Sequence, residues 1–368
     1  MKFTTSIVVA LFASVTSATP IEKRHNKFFV HQIEKYDISG SGKRDESLNF
    51  DDTGIRYTVD LEIGSSKEKV KVMIDTGSWR LNIPGPNAPC LGTGTCPAGS
   101  VFHPDKSTTF KNSSISAASY YGRGKTSVIG YTVHDDLFLD NGDKIPQFEF
   151  DLANYTSFQM GWFGVRHSTY PSESYVYAAK KAGLIDTPGF SLYLGSDEKT
   201  GTFLVGGVDR AKYEGDFAFF ESDFVIQGKS ITTGNGTVLP LTNTVEIDSG
   251  NPYLSLDKDI FDAINKEVGA NEYGVAPCDQ VLNTDKSLKV DLGDVTIEIP
   301  YSDLYFEKSD KPGYCDTYIT DTYETGGAQN LGLPFIRQIY LTSSFDSKKL
   351  GIAPVKYTDE SDIVDFWF

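Results

Sequence analysis

The feature that most limits what this chain can fold into is a duplicated strand and turn. In "VKVMIDTGSWRLNIPG", Val70 to Gly85, the alternating apolar residues Val70, Val72 and Ile74 lead into Asp75-Thr76-Gly77. In "TVEIDSGNPYLSL", Val245 and Ile247 lead in the same way into Asp248-Ser249-Gly250. A period of two marks a half-buried β-strand, and Asp, Ser, Thr and Gly close turns. One such triplet is an ordinary turn with an Asx-type hydrogen bond. Two in matched settings are the ends of a larger repeat, because "GWFGV" with Gly164 follows the first and "NLGLPF" with Gly332 follows the second at a similar distance. The repeat predicts a mainly β protein of two related lobes, residues 45–220 carrying Asp75 and residues 221–368 carrying Asp248.

Other segments agree. Tyr57, Val59, Leu61 and Ile63 alternate, as do Val295, Ile297 and Ile299. Helical spacing is sparse. Its clearest case is "DKDIFDAINKEVG", with Ile260, Phe261, Ile264 and Val268 on one face, Asp257 as N-cap and Gly269 as the stop. A weaker helix is expected over "YVYAAKKAG".

Carboxylates on equivalent turns of related lobes would meet at a pseudo-twofold axis. At hydrogen-bonding distance they cannot both ionise cheaply, so the pair holds one proton over a range of acidic pH. Its ionised oxygen can take a proton from water while the protonated one polarises a carbonyl, which is general acid-base hydrolysis. Thr76 and Ser249 supply hydroxyls to tie the loops together, and Gly77 and Gly250 let backbone N–H groups approach. The four cysteines and five histidines lack metal-site spacing, so neither a metal nor a cofactor is expected.

The N-terminus reads as an export signal over residues 1–18, with Lys2, the apolar run "SIVVALFASV" and small residues ending near Ala18. No later run is long enough to span a bilayer, so membrane insertion is not expected. Dibasic pairs end at Arg24 and Arg44, predicting a propeptide over 19–44 and a mature chain from Asp45. Within it, "HNKFFVHQIEKY" carries apolar residues able to enter a cleft and inhibit. The whole chain has a formal charge of −16, and beyond this basic leader 27 basic and 47 acidic residues leave −20, which repels nucleic acid and anionic membranes. The simplest of three possible cysteine pairings joins Cys90 to Cys96 and Cys278 to Cys315. Asn112, Asn154 and Asn235 open N-glycosylation sequons, which matter in a secreted chain.

These residues resemble the pepsin-like aspartic proteases, and among them the secreted yeast candidapepsins. The resemblance runs from Tyr57 to Thr358 through "YTVDLEIGSSKEKVKVMIDTGS", "TGTFLVGGVDRAKYEGD", the second triplet with its helix, and "IRQIYLTSSFDSKKLGIAPVKYT". The cysteine positions are similar too. It implies a bilobal fold around a central cleft, a water between Asp75 and Asp248, polypeptide substrates, the chain's own propeptide as a partner, and a secreted monomer. The family's flap motif falls on Tyr121-Gly122-Arg123-Gly124, making Tyr121 a substrate clamp beside Gly122 and Arg123. Gly77, Gly250 and Asn251 would also line the substrate site, and Ser78 would support the dyad. Departures fall at Trp79, Asn82, Arg123, Arg166, Asn251, Asn330 and Leu333. The family has Trp at the position of Asn82, and at Asn251 a Thr whose hydroxyl supports the outer oxygen of its carboxylate. The alternative these departures raise is a relative that binds peptides or a surface partner but cleaves little.

Overall fold

Alternation builds the strands that carry the first loop. In β2 (Ile55–Ile63) the side chains of Tyr57, Val59, Leu61 and Ile63 are buried, and β3 (Glu68–Asp75) buries Val70, Val72 and Ile74 while Lys69 stays exposed. Each such aliphatic burial contributes roughly 1.5–3 kcal/mol, which fixes register because a slip by one residue would turn the whole set outward. The computed structural model describes residues 27–37, 55–90, 96–97, 99–121, 126–168, 170–195, 200–307, 311–322 and 327–368. The expected signal peptide, both dibasic pairs with Arg24 and Arg44, and the flap residues Gly122, Arg123 and Gly124 lie outside them.

The chain is mainly β and bilobal. β3 pairs in parallel with β8 (Gly161–Gly164), Asp75 opposite Gly164, and β4 (Leu81–Pro84) returns antiparallel along β8, Asn82 opposite Trp162. The second lobe repeats this arrangement. Strand Thr244–Ile247 runs parallel to Gln329–Leu331, and Leu254–Leu256 returns antiparallel to it, Ser255 opposite Asn330. The flap strands β5 (Lys111–Tyr121) and β6 (Thr126–Phe138) pair antiparallel, followed by β7 (Lys144–Thr156).

Part of the expected propeptide forms β1 (Phe29–Asp37). It lies inside the large sheet between β2 and β10 (Thr200–Val205), and β10 pairs in turn with β9 (Gly189–Leu194). The described piece of the leader therefore acts as a sheet strand, with Ile33 fully buried.

Both expected helices form. α1 (Tyr175–Lys181) is capped by Ser174, whose hydroxyl accepts from the Tyr177 N–H. α2 (Lys258–Val268) buries Ile260, Phe261, Ile264 and Val268 and ends at Gly269 in the left-handed region, φ 69°. Asp257 holds the N-cap position, but its carboxylate takes no bond from the helix. Cys90 is bonded to Cys96 and Cys278 to Cys315. Among the described residues no helix is long and apolar enough to cross a membrane.

Candidate active site

β3 and the strand Thr244–Ile247 deliver their Asp-[Ser/Thr]-Gly loops to one point. The loops are cross-linked by hydrogen bonds in both directions: Thr76 N–H donates to Ser249 Oγ (3.0 Å) and Ser249 N–H to Thr76 Oγ1 (2.9 Å). Each hydroxyl then donates across to the other lobe's strand, Thr76 to the Ile247 carbonyl (2.9 Å) and Ser249 to the Ile74 carbonyl (2.9 Å). Four bonds among buried groups fix the two carboxyls relative to each other, since every unmade one would leave an orphaned polar atom.

Each carboxyl is also held from its own loop. The Gly77 N–H donates to Asp75 Oδ1 (2.8 Å) and the Gly250 N–H to Asp248 Oδ1 (2.8 Å). Ser78 Oγ donates to Asp75 Oδ2. Asp75 is 2% exposed, and burial, followed by the charge of Asp248 beside it, holds its carboxyl well above the usual range. The two groups hydrogen-bond to one another, so one proton is shared between them.

The glycines permit this approach. A Cβ on Gly250 would stand 2.5 Å from Asp75 Oδ1, and one on Gly77 2.7 Å from Asp248 Cγ. Gly250→Ala is therefore expected to displace Asp75 and lower kcat by about 100-fold, the scale of a misplacement near 1 Å. Steady-state kinetics on a peptide substrate checks this, and a variant within threefold of wild type contradicts it.

Tyr121, the last described residue of β5, stacks on Trp162 (4.6 Å between centroids, 10° between planes). Asn82 Nδ2 donates to Tyr121 Oη (3.1 Å), and Asn82 Oδ1 accepts from the Trp162 N–H (3.3 Å). Where the family has an indole, this chain anchors the flap tyrosine with a buried amide. Burial pushes the Tyr121 phenol up, with the nearby Asp75 carboxyl adding to the effect.

Three residues have surroundings that sequence reasoning did not anticipate. Asn251 turns away from the dyad: its Oδ1 accepts from the Tyr253 N–H (3.0 Å) and its Nδ2 reaches Ser255 Oγ (3.4 Å). Asn330 takes the contact instead, its Nδ2 donating to Asp248 Oδ2 (2.8 Å). Glu246, opposite Asn330 in the parallel register, has its pKa pushed up to about 7 by burial and by Asp248, while Arg166 opposes the rise. Arg166 crosses from the first lobe to Glu246 (2.8 Å) and to Asp223 (3.1 Å). Aligning the two halves on Gly164 and Gly332 would have paired Trp162 with Asn330, the one available signal.

Asp75, Thr76, Gly77, Ser78, Tyr121, Asp248, Ser249 and Gly250 thus gather in one place, with Asn251 at its margin. Asn112, Asn154 and Asn235 are all exposed. Among the described residues no cluster of His, Cys, Asp and Glu could hold a metal ion.

The eukaryotic aspartyl protease model matches residues 56–355. The chain is 28% identical to an acid protease of Saccharomycopsis fibuligera, over 97% of this chain and 100% of that protein. It is 28% identical to secreted aspartic protease 10 of Candida albicans, over 84% of this chain and 74% of that one. To the candidapepsin of Candida tropicalis it is 29% identical, over 84% and 82%. With both cross-linked Asp-[Ser/Thr]-Gly loops inside the matched span, this chain belongs to the eukaryotic aspartyl protease family.

Proposed function

We propose that this aspartic endopeptidase works outside the cell, at acidic pH, by activating water between Asp75 and Asp248. The observation that carries the reading is the pair of hydrogen-bonded carboxyls on cross-linked loops, with Asp75 held well above its ordinary pKa by burial and by Asp248. A shared proton is the established behaviour of aspartic proteases. The ionised carboxyl takes a proton from water as the oxygen attacks the scissile carbonyl carbon, and the protonated carboxyl donates to the carbonyl oxygen. The carboxyl that took the water's proton then gives it to the amide nitrogen while the other carboxylate takes one from a hydroxyl of the tetrahedral diol; the C–N bond breaks, and the dyad ends with one proton as it began. Tyr121 would close over the substrate.

Export is supported by the relatives named as secreted, by two disulfides and by three exposed sequons. Residues 19–44 are proposed as the propeptide, removed after Arg44.

The test is incubation of purified, processed protein with a denatured protein substrate from acidic to neutral pH, with and without a pepstatin-type inhibitor. Cleavage should be greatest in acid and blocked by the inhibitor. It should fall about tenfold per pH unit once the shared proton is lost, because only the singly protonated pair is competent. A rate that is flat to neutrality or indifferent to the inhibitor would contradict the reading.

A further inference from the structure

We infer that Asn330 is the positioning residue for Asp248, supplying by an amide the support that the Ser78 hydroxyl gives Asp75; this rests on the dyad reading above. The two loops are otherwise matched atom for atom. Each inner oxygen accepts a glycine N–H two residues on, at 2.8 Å in both lobes. Asp75 Oδ2 accepts from Ser78, three residues after the aspartate. The equivalent residue in the second loop is Asn251, whose side chain is committed to the Tyr253 N–H and to Ser255. Asp248 Oδ2 would be left without its donor, and Asn330 Nδ2 fills that place at 2.8 Å from another strand of the lobe.

Two further facts separate this contact from incidental packing. Asn330 is 5% exposed and its Oδ1 is buried with no protein partner. An orphaned buried acceptor costs about 1–3 kcal/mol, so on stability alone an apolar side chain would serve better at this position. The amide is explained by what its nitrogen does. A side-chain NH₂ group can only donate, whereas a serine hydroxyl both donates and accepts. Asn330 therefore keeps Asp248 Oδ2 an acceptor and excludes the shared proton from that oxygen. Asp75 Oδ2, facing a hydroxyl, has no such restriction. The two carboxyls, alike in their loops, are made unequal by their outer partners.

The test compares wild type with Asn330→Leu, Asn330→Asp and the double variant Asn251→Ser/Asn330→Leu, reading kcat, KM, the pH profile and thermal melting. Asn330→Leu should lower kcat by 10- to 100-fold with KM within twofold. It should also move the acid limb of the profile to higher pH, because ionised Asp248 loses a donor. Its melting temperature should change little, since removal of the orphaned acceptor offsets the lost bond to Asp248. Asn251→Ser in the double variant should recover at least tenfold of the lost rate by rebuilding the hydroxyl of the first loop. Asn330→Asp keeps the shape and donates only when protonated, so its activity should retreat to lower pH; this arm decides the matter should the leucine variant fail to fold. An active wild type with unchanged rate and acid limb in Asn330→Leu, or no recovery in the double variant, overturns the inference while leaving the dyad standing. A wild type inactive at every pH overturns the dyad reading and this inference with it.

Discussion

Asp75→Asn and Asp248→Asn should each lower cleavage by about 10³-fold or more, because one group serves as base and then as acid in the same turnover. Asparagine keeps the outline of the side chain and the bond from the glycine N–H, so the loops should stay assembled. Asp75→Asn should also melt no lower than wild type. Asp75 is a buried carboxyl held up by desolvation and by the charge of Asp248, and a neutral amide relieves both. Loss of activity with retained or raised melting temperature is the signature of a site that spends stability on chemistry. Cleavage near the wild-type rate in either variant would remove the dyad from the mechanism, and collapse of the fold in both would mark the carboxyls as structural.

How far the sequence alone leads depends on how local each property is. The triplets could be read because they are local: a β-strand of period two and a turn of Asp, Ser or Thr, and Gly specify themselves within a dozen residues, and their duplication needs only comparison of the chain with itself. The helix over Lys258–Val268 was visible for the same reason, down to its buried face and its glycine stop. Partnerships between distant strands were not. Asn330 stood out as a departure from the family pattern, yet its bond to Asp248 depends on the parallel pairing of Thr244–Ile247 with Gln329–Leu331. Asn251 stands at the position of the family's supporting Thr, yet its Nδ2 reaches Ser255 Oγ and its Oδ1 accepts from the Tyr253 N–H, so it has no donor to offer Asp248. At Asn82, where the family has Trp, an amide makes the bond to Tyr121 and ties the Trp162 backbone with its other end, contacts that only the fold reveals. Glu246 lies between Val245 and Ile247 in sequence, and only the fold brings Arg166 and Asp248 to it.

Acidification should loosen the leader, and His31 is the group through which it acts. The expected propeptide places β1 between β2 and β10, where His31 is 6% exposed, bonds Tyr175 through Nε2 (2.6 Å) and packs among the rings of Phe29, Tyr175 and Phe203. Burial lowers its pKa from 6.5 to about 4, and the charge of Asp140 opposes the shift only in part. The docked strand thus holds a neutral imidazole, while a detached one takes up a proton at about pH 6.5. Docking is fully supported above that value and weakens as pH falls, about tenfold per unit, until the loss levels off near pH 4 at roughly 300-fold, or about 3 kcal/mol. A leader cut after Arg44 should consequently stay bound at pH 7 and dissociate at pH 4, which size-exclusion chromatography of the cleaved precursor at the two pH values would read directly. His31→Phe keeps an aromatic ring in the pocket and has nothing to protonate, so its leader should be retained at both. Equal release of the wild-type and His31→Phe leaders at pH 4 would assign the acid response to other groups and leave His31 as packing alone.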